Sequence, residues 1–350
     1  MAFSLSAEGA RGVVRRLAGV AALLAAAVVS HGAQAQSDWD KVIADGKKEG
    51  RLVLYTAFVG QPSTRAIANA FTAKYGIAVE ILEARASEIR ERARVEQAAG
   101  RYAADVMFTS EGQTKLYDQQ DKTVAPLPET PARAKIKKEF NLKVPMAAVM
   151  SIPYGILVNT NLVKAGEEPK TWNDLTDPKW KGKILADDTR AVGGGFLWFF
   201  ATYDKLGGEA FHTKVAANAP VMTRDQRESQ RRVARGEYAI YMPFILTDTV
   251  SLKGLPVKAI IPPEGVPYVL YGNVLMKNAP HPNAAKLYID FLQSEEAQSI
   301  YAKEGHGVVL DGITDKLPEE TRRTSEAKLL GTTDPDRQNE LIEIAKRIYK

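Results

Sequence analysis

No cysteine occurs in the 350 residues, which excludes disulfides, thiolate nucleophiles and thiolate metal ligands. It also excludes the lipid-bearing Cys of a bacterial lipoprotein, so the chain reads as one without a lipid anchor. Histidine is scarce: beyond residue 35 only His212, His281 and His306 remain, too far apart for an H-E-x-x-H pair. The G-x-x-x-x-G-K-[ST] phosphate loop and the G-x-S-x-G elbow are both missing, so no catalytic pattern stands out and no enzyme is expected. Long apolar runs are missing too, since the run from Leu17 to Val29 falls short of the roughly 20 residues that span a bilayer.

Charge of one sign is also lacking. Lys and Arg total 47 against 42 Asp and Glu, a formal net charge of +5. The densest basic stretch, Arg224 to Arg235, carries Asp225 and Glu228 and reads as one helix. Nothing here resembles the basic face with interleaved aromatics that binds nucleic acid.

What is present begins with Arg11, Arg15 and Arg16 ahead of that apolar run, which ends in Ala33-Gln34-Ala35. This is the pattern of a secretory signal over residues 1–35, with cleavage expected after Ala35 and a periplasmic destination. Its removal takes three Arg and one Glu and leaves a formal charge of +3.

From Arg51 the chain alternates apolar β-rich runs with amphipathic segments. RLVLYTA is followed by a helix opened at Pro62-Ser63 and stopped at Gly76. IAVEIL is followed by a helix from Ser87-Glu88 to about Ala99, and ADVMFTS closes the series. Such alternation predicts a parallel sheet covered on both faces. Four prolines between Thr123 and Val149 mark the passage to a second lobe. The second series starts at PYGILVNT. It runs through KILAD, a helix after the glycine run, PVMT, a helix from Gln226 to Gly236, YAIYMPF and VKAIIPP, and reaches VPYVLYGNVLMKN, a strand interrupted at Gly272-Asn273. HPNAAKLYIDFLQSEEAQSIYAK reads as one long helix.

Open α/β sheets bind ligands beyond the carboxyl ends of their strands. The loops to consider there carry Phe58, Gln61 and Ser63; Ser110 and Glu111; and Asp187 to Arg190. Next to the last stands Gly193-Gly194-Gly195, directly ahead of the Phe196/Trp198/Phe199/Phe200 run. A helix start of this kind exposes N–H donors and a partial positive charge to an anion. The same glycines would equally serve a tight turn that packs the aromatic helix on its sheet. Arg85 and Arg227 are candidate partners for a buried anion.

The stretches GRYAADVMFTSEG, LTDPKWKGKILADD, the glycine run, VARGEYAIYM and NAPHPNAAKLYIDFLQSEEAQ, in this order from about Arg51 to Leu310, resemble the periplasmic substrate-binding proteins of ABC importers. The branch they are most similar to contains the ferric-ion-binding proteins. The resemblance implies a two-lobed α/β binding protein of type II, each lobe a mostly parallel sheet flanked by helices, with a hinge of crossing strands. Residues 36–150 plus about 271–310 would form lobe 1, and 151–270 plus about 311–350 lobe 2, with the cleft between them. It also implies a monomer that hands its ligand to a membrane permease and its ATPase, with no cofactor. The family's anion cradle falls on Gly193, Gly194 and Gly195, a second anion contact near Gln226 or Arg227, and the first lobe's polar loop on Ser110 and Glu111. The hinge strand falls on Tyr271-Gly272-Asn273.

Two departures decide the expected ligand. The adjacent tyrosines of ferric proteins would fall near Leu246-Thr247, and the first loop, GQPSTR, has no His. Tyr238, Tyr241, Tyr268 and Tyr271 with Glu111 are left as an alternative, rearranged iron site. The leading expectation is a small organic anion, a carboxylate, phosphonate or phosphate ester. Phe58, Tyr241 or Phe244 would then supply an apolar wall and Arg227 or Arg85 the counter-charge.

Overall fold

The computed structural model describes residues 38–350; the signal segment read over residues 1–35 lies outside them. A first helix, α1, covers 38–49. Then β1 (Arg51–Thr56), α2 (Pro62–Tyr75), β2 (Ala78–Glu83), α3 (Ala86–Ala98) and β3 (Val106–Ser110) alternate as the sequence predicts. The fixed φ of Pro62 suits the first turn of α2. The helix ends at Gly76, whose φ of 72° lets its N–H return to the Thr72 carbonyl. β1 lies between β2 and β3, all three parallel.

A short α4 (Glu111–Leu116) leaves β3, and the proline-bearing stretch leads to β4 (Ala147–Asn159). The second series is β5 (Ile184–Asp187), α5 (Gly194–Lys205), α6 (Gly208–Ala217), β6 (Val221–Thr223), α7 (Gln226–Ala234), β7 (Ile240–Ile245), β8 (Val257–Ile260) and β9 (Val266–Leu275). The chain then adds α8 (Pro282–Leu292), α9 (Glu295–Lys303), β10 (Gly307–Val308), α10 (Glu319–Glu326), β11 (Leu329–Gly331) and α11 (Gln338–Ile348).

The strand order β2-β1-β3-β9-β4-β7-β5-β6 turns on two strands. β4 pairs antiparallel with β9 from Ala147↔Asn273 to Pro153↔Tyr268, then with β7 and β8 from Tyr154 onward. β9 pairs in turn with β3. β4 is buried along almost its whole length and feeds two cores: Val149 and Met150 join Leu54, Phe71, Phe108 and Phe291, whereas Ile156 and Val158 join Trp172, Trp198, Phe199 and Met242. The molecule is thus two α/β lobes joined by crossing strands, as the resemblance implies.

Three sequence expectations need correction. β4 begins at Ala147, six residues before PYGILVNT, because its first half is needed to pair with β9. β9 runs unbroken through Gly272: a Cβ there would stand 2.2 Å from the Ala147 carbonyl oxygen, so glycine allows the close strand approach rather than a break. The long helix is two, because Ser294 caps α9 by accepting the Ala297 N–H at 3.4 Å, and Gln293 turns inward to donate to the Ala148 carbonyl at 2.8 Å. The α6, α10, β11 and α11 elements had no counterpart in the sequence reading.

Candidate functional site

A cleft of about 600 Å³ lies where the segments following β3 and β5 meet. Ser110, Glu111 and Gln113 line it from the first series. Tyr154, Gly193, Gly194, Phe196, Leu197 and Gln226 line it from the second, and Thr332, Thr333, Asp336 and Asn339 from the C-terminal segment. A larger hollow of about 770 Å³ lies beside Trp39, Leu127 and Pro128. It is chiefly aliphatic and proline-lined and gathers no strand-end loops, so the cleft is the better candidate.

The start of α5 answers both readings of the glycine run. A Cβ on Gly195 would come within 2.2 Å of the Asp187 carbonyl oxygen, so this glycine serves close packing of helix on strand. On Gly194 the Cβ would meet Gln226 Nε2 at 2.7 Å, Asp187 Oδ2 at 2.8 Å and the Tyr154 ring at 3.1 Å, side chains of which Gln226 and Tyr154 line the cleft. Asp187 Oδ2 accepts the Gly195 N–H at 2.9 Å and Gln226 Nε2 at 3.0 Å. The protein therefore places its own carboxylate on one donor of this turn. The first intrahelical bond is made by Leu197 to the Gly193 carbonyl, which leaves the N–H groups of Gly194 and Phe196 ahead of it. Burial pushes the Asp187 carboxyl up, opposed by the hydrogen bonds from Gln226 and Gly195. Burial also acts on Asp188, but Arg190 at 2.8 Å and Arg224 at 3.1 Å hold it below the usual carboxylate range.

Across the cleft, Ser110 caps α4 by accepting the Gln113 N–H at 3.4 Å. Glu111 follows it, its Oε2 buried and without a hydrogen-bond partner. Burial alone pushes its carboxyl up. The neighbouring Tyr268 phenol is pushed up to about 12 by burial and by the Glu111 charge.

Of the residues singled out from sequence, Ser110, Glu111, Gly193, Gly194 and Gln226 line one cavity. Phe58, Ser63 and Tyr271 gather elsewhere. The Phe58 ring lies 5.7, 5.6 and 5.8 Å from Phe108, Tyr271 and His306, with Ser63 fully buried and Gln61 at the residue before α2, where its side chain makes no capping bond.

The two proposed counter-charges are corrected: Arg85 is exposed at the start of α3 and Arg227 is exposed on α7, and neither lines the cleft. Phe244 is not a cleft wall but fully buried core, as is Tyr241, whose hydroxyl has no partner. Nor do the four tyrosines of the iron alternative converge. Tyr238 lies under the Arg232 guanidinium at 4.8 Å, Tyr241 sits in that core, Tyr268 is beside Glu111 and Tyr271 stacks on Phe108. Among the described residues no three His, Cys, Asp or Glu are grouped to hold a metal ion.

Sequence reasoning missed Tyr154, which enters the cleft because β4 changes partners there, and the whole 332–339 wall. The Asp334-Pro335 turn was the one local signal for the latter.

Comparison with known proteins places this architecture. The family model for bacterial extracellular solute-binding proteins matches residues 58–299, and the chain belongs to that family. The resemblance read from the sequence thus holds at the level of family and fold. An uncharacterized protein of Haemophilus influenzae is 35% identical over 168 residues, 45% of this chain and 48% of the relative. The chain therefore spans about half the length of that relative. An iron and citrate complex of Trichodesmium FutA superposes with a TM-score of 0.71 at 21% identity, covering 86% of this chain and 100% of that one. AfuA of Actinobacillus pleuropneumoniae, described with exogenous fructose-6-phosphate bound, gives 0.59 at 24% identity over 84% and 97%.

Proposed function

We propose that this chain is the periplasmic solute-binding component of an ABC importer, and that its cleft captures a small organic anion. The observation that carries the ligand class is the start of α5. There Gly194 and Phe196 line the cavity, and their N–H groups stand ahead of the first intrahelical bond, that of Leu197 to Gly193. With no Arg or Lys among the described residues lining the cavity, the anion's charge is met by these donors and by Gln226. A helix start contributes typically 0.3–1 kcal/mol, and up to about 2 where partly buried. Asp187 behind the turn opposes it, so a carboxylate or a singly charged phosphonate or phosphate ester fits better than a multiply charged anion. The citrate described with iron in one structural neighbour and the fructose-6-phosphate described in the other are organic anions, both more highly charged than the ligand read here.

In this reading the chain is cleaved after Ala35, works as a monomer, carries no cofactor and catalyses no reaction. It closes its lobes around a hinge and hands the ligand to a permease and its ATPase. The lobes would comprise 36–150 with about 271–310 and 151–270 with about 311–350. The contacts of α10 with Ala302 and Val308 draw that helix toward the first lobe, where both residues share a hydrophobic cluster with Tyr55 and Met107.

A thermal-shift panel of carboxylates, phosphonates, sugar phosphates, polyamines and ferric citrate tests the ligand class. A ligand at a hundredfold excess over its Kd stabilises the folded state by about 2.7 kcal/mol. Stabilisation by polyamines or ferric iron alone would sink the anion reading, and chemical conversion of a compound would sink the binding-protein reading.

A further inference from the structure

The acids around the cleft are nearly all provided for within the protein. Asp187 accepts from Gly195 and Gln226, Asp188 from Arg190 and Arg224, and Asp248 from Gln230 at 2.5 Å. Asp336, one of two charged side chains lining the cavity, is paired with Lys115 at 2.5 Å. The other is Glu111, which stands apart. Its Oε2 is buried and meets no donor among the described residues, and none of their cations contributes to its ionisation. A buried carboxylate without a partner is costly, and the cost rises as the cleft closes and expels water. A hydroxyl would supply a hydrogen bond but leave the charge uncompensated; an ammonium supplies both.

We infer that Glu111 receives an ammonium group of the ligand. The solute is then a small zwitterion, with its anionic end at the Gly194–Phe196 turn and its amino group across the cavity at Glu111. This rests on the organic-anion reading above and narrows it. It also accounts for a cleft that carries carboxylates yet presents backbone donors on the facing wall: each half of the ligand finds the complementary half of the site. Glu111 becomes the residue that sets specificity, because it disfavours plain anions and rewards those that bring their own positive charge.

Titration calorimetry on the mature chain tests this with matched probes: 4-aminobutyrate against butyrate, phosphoethanolamine against ethyl phosphate, and putrescine as a cation without an anionic end. The expected result is at least a tenfold preference for the amino member of one pair. That preference should shrink at least tenfold in Glu111→Gln, while butyrate or ethyl phosphate binds the variant as well as, or better than, the wild type. If the des-amino anions bind the wild type as tightly as their amino partners, the inference is overturned and the organic-anion reading stands. If putrescine binds and no anion-bearing probe does, that underlying reading falls and takes the zwitterion with it. No binding of either amino-bearing anion at millimolar concentration also counts against the inference. Should Glu111→Gln fail to fold, the wild-type comparison of the paired probes decides alone.

Discussion

Lys115 Nζ lies 2.7 Å from a carboxylate oxygen of Asp334, 219 residues further along the chain, and 2.5 Å from Asp336. Three residues after Asp334, Arg337 makes two bonds of 3.0 and 2.8 Å to Asp204 at the end of α5. One C-terminal segment is thereby pinned to α4 on one side of the cleft and to α5 on the other, and it forms part of the wall between them. Exposed pairs of this kind contribute about 0–1 kcal/mol each. Lys115→Met should therefore lower thermal stability only slightly yet speed ligand exchange severalfold, and raised salt should produce the same change in the wild type. Stopped-flow dissociation rates unchanged by both mutation and salt would show that the segment does not restrain the cleft.

The two inner glycines should separate folding from binding. Gly195→Ala drives a Cβ against the Asp187 carbonyl oxygen, fixed backbone at the end of β5, and should cost about 1–3 kcal/mol or more in unfolding free energy. Gly194→Ala meets side chains, those of Gln226, Asp187 and Tyr154, rather than fixed backbone, so its stability loss should be the smaller and its loss of affinity the larger. Urea denaturation with ligand titration on both variants checks this. Equal stability losses at the two positions would leave packing as the whole role of the run.

His212 should govern acid stability. It is fully buried, with Nδ1 2.9 Å from the Tyr349 hydroxyl and Nε2 3.1 Å from Thr202 Oγ1. Burial pushes its pKa down to about 3 from an ordinary value of 6.5. The unfolded chain therefore takes up a proton first as pH falls. The stability this residue contributes is complete above about pH 6.5 and is lost from there toward pH 3, at roughly 1.4 kcal/mol per pH unit. His212→Gln should flatten that slope in unfolding measurements between pH 6.5 and 4. An unchanged slope would assign acid sensitivity to other groups.

Ferric citrate should produce no visible phenolate-to-iron absorption, because Tyr238, Tyr241, Tyr268 and Tyr271 sit in four different surroundings. A band that appears with iron and disappears in Tyr271→Phe would restore the iron reading.

How much of this was legible in the sequence follows from what carries each element. The βα alternation was visible because each strand and helix buries its own periodic face: RLVLYTA and ADVMFTS became β1 and β3 within a residue or two. Ser110, Glu111, Gly193, Gly194 and Gln226 came together because strand-end loops converge in any open sheet of this kind. The failures are long-range. Nothing local in FLQSEEAQ says that Gln293 must reach the Ala148 carbonyl, a bond spanning 145 residues that helps split α8 from α9. Arg85 and Arg227 were chosen for their charge, and charge carries no information about which way a side chain faces. The 332–339 wall has little apolar periodicity, since it is held by Lys115 and Arg337 rather than by a core.

Because β9 lies between β3 and β4 in the sheet, these neighbours cannot complete their pairing until residues 266–275 have been made. A ribosome delivers β3 and β4 more than a hundred residues earlier, at roughly 5–20 residues per second. For several seconds the nascent chain therefore holds two strands with a missing partner and an exposed edge. A fragment ending ahead of β9 would leave β3 and the first half of β4 without that partner and present the edge permanently.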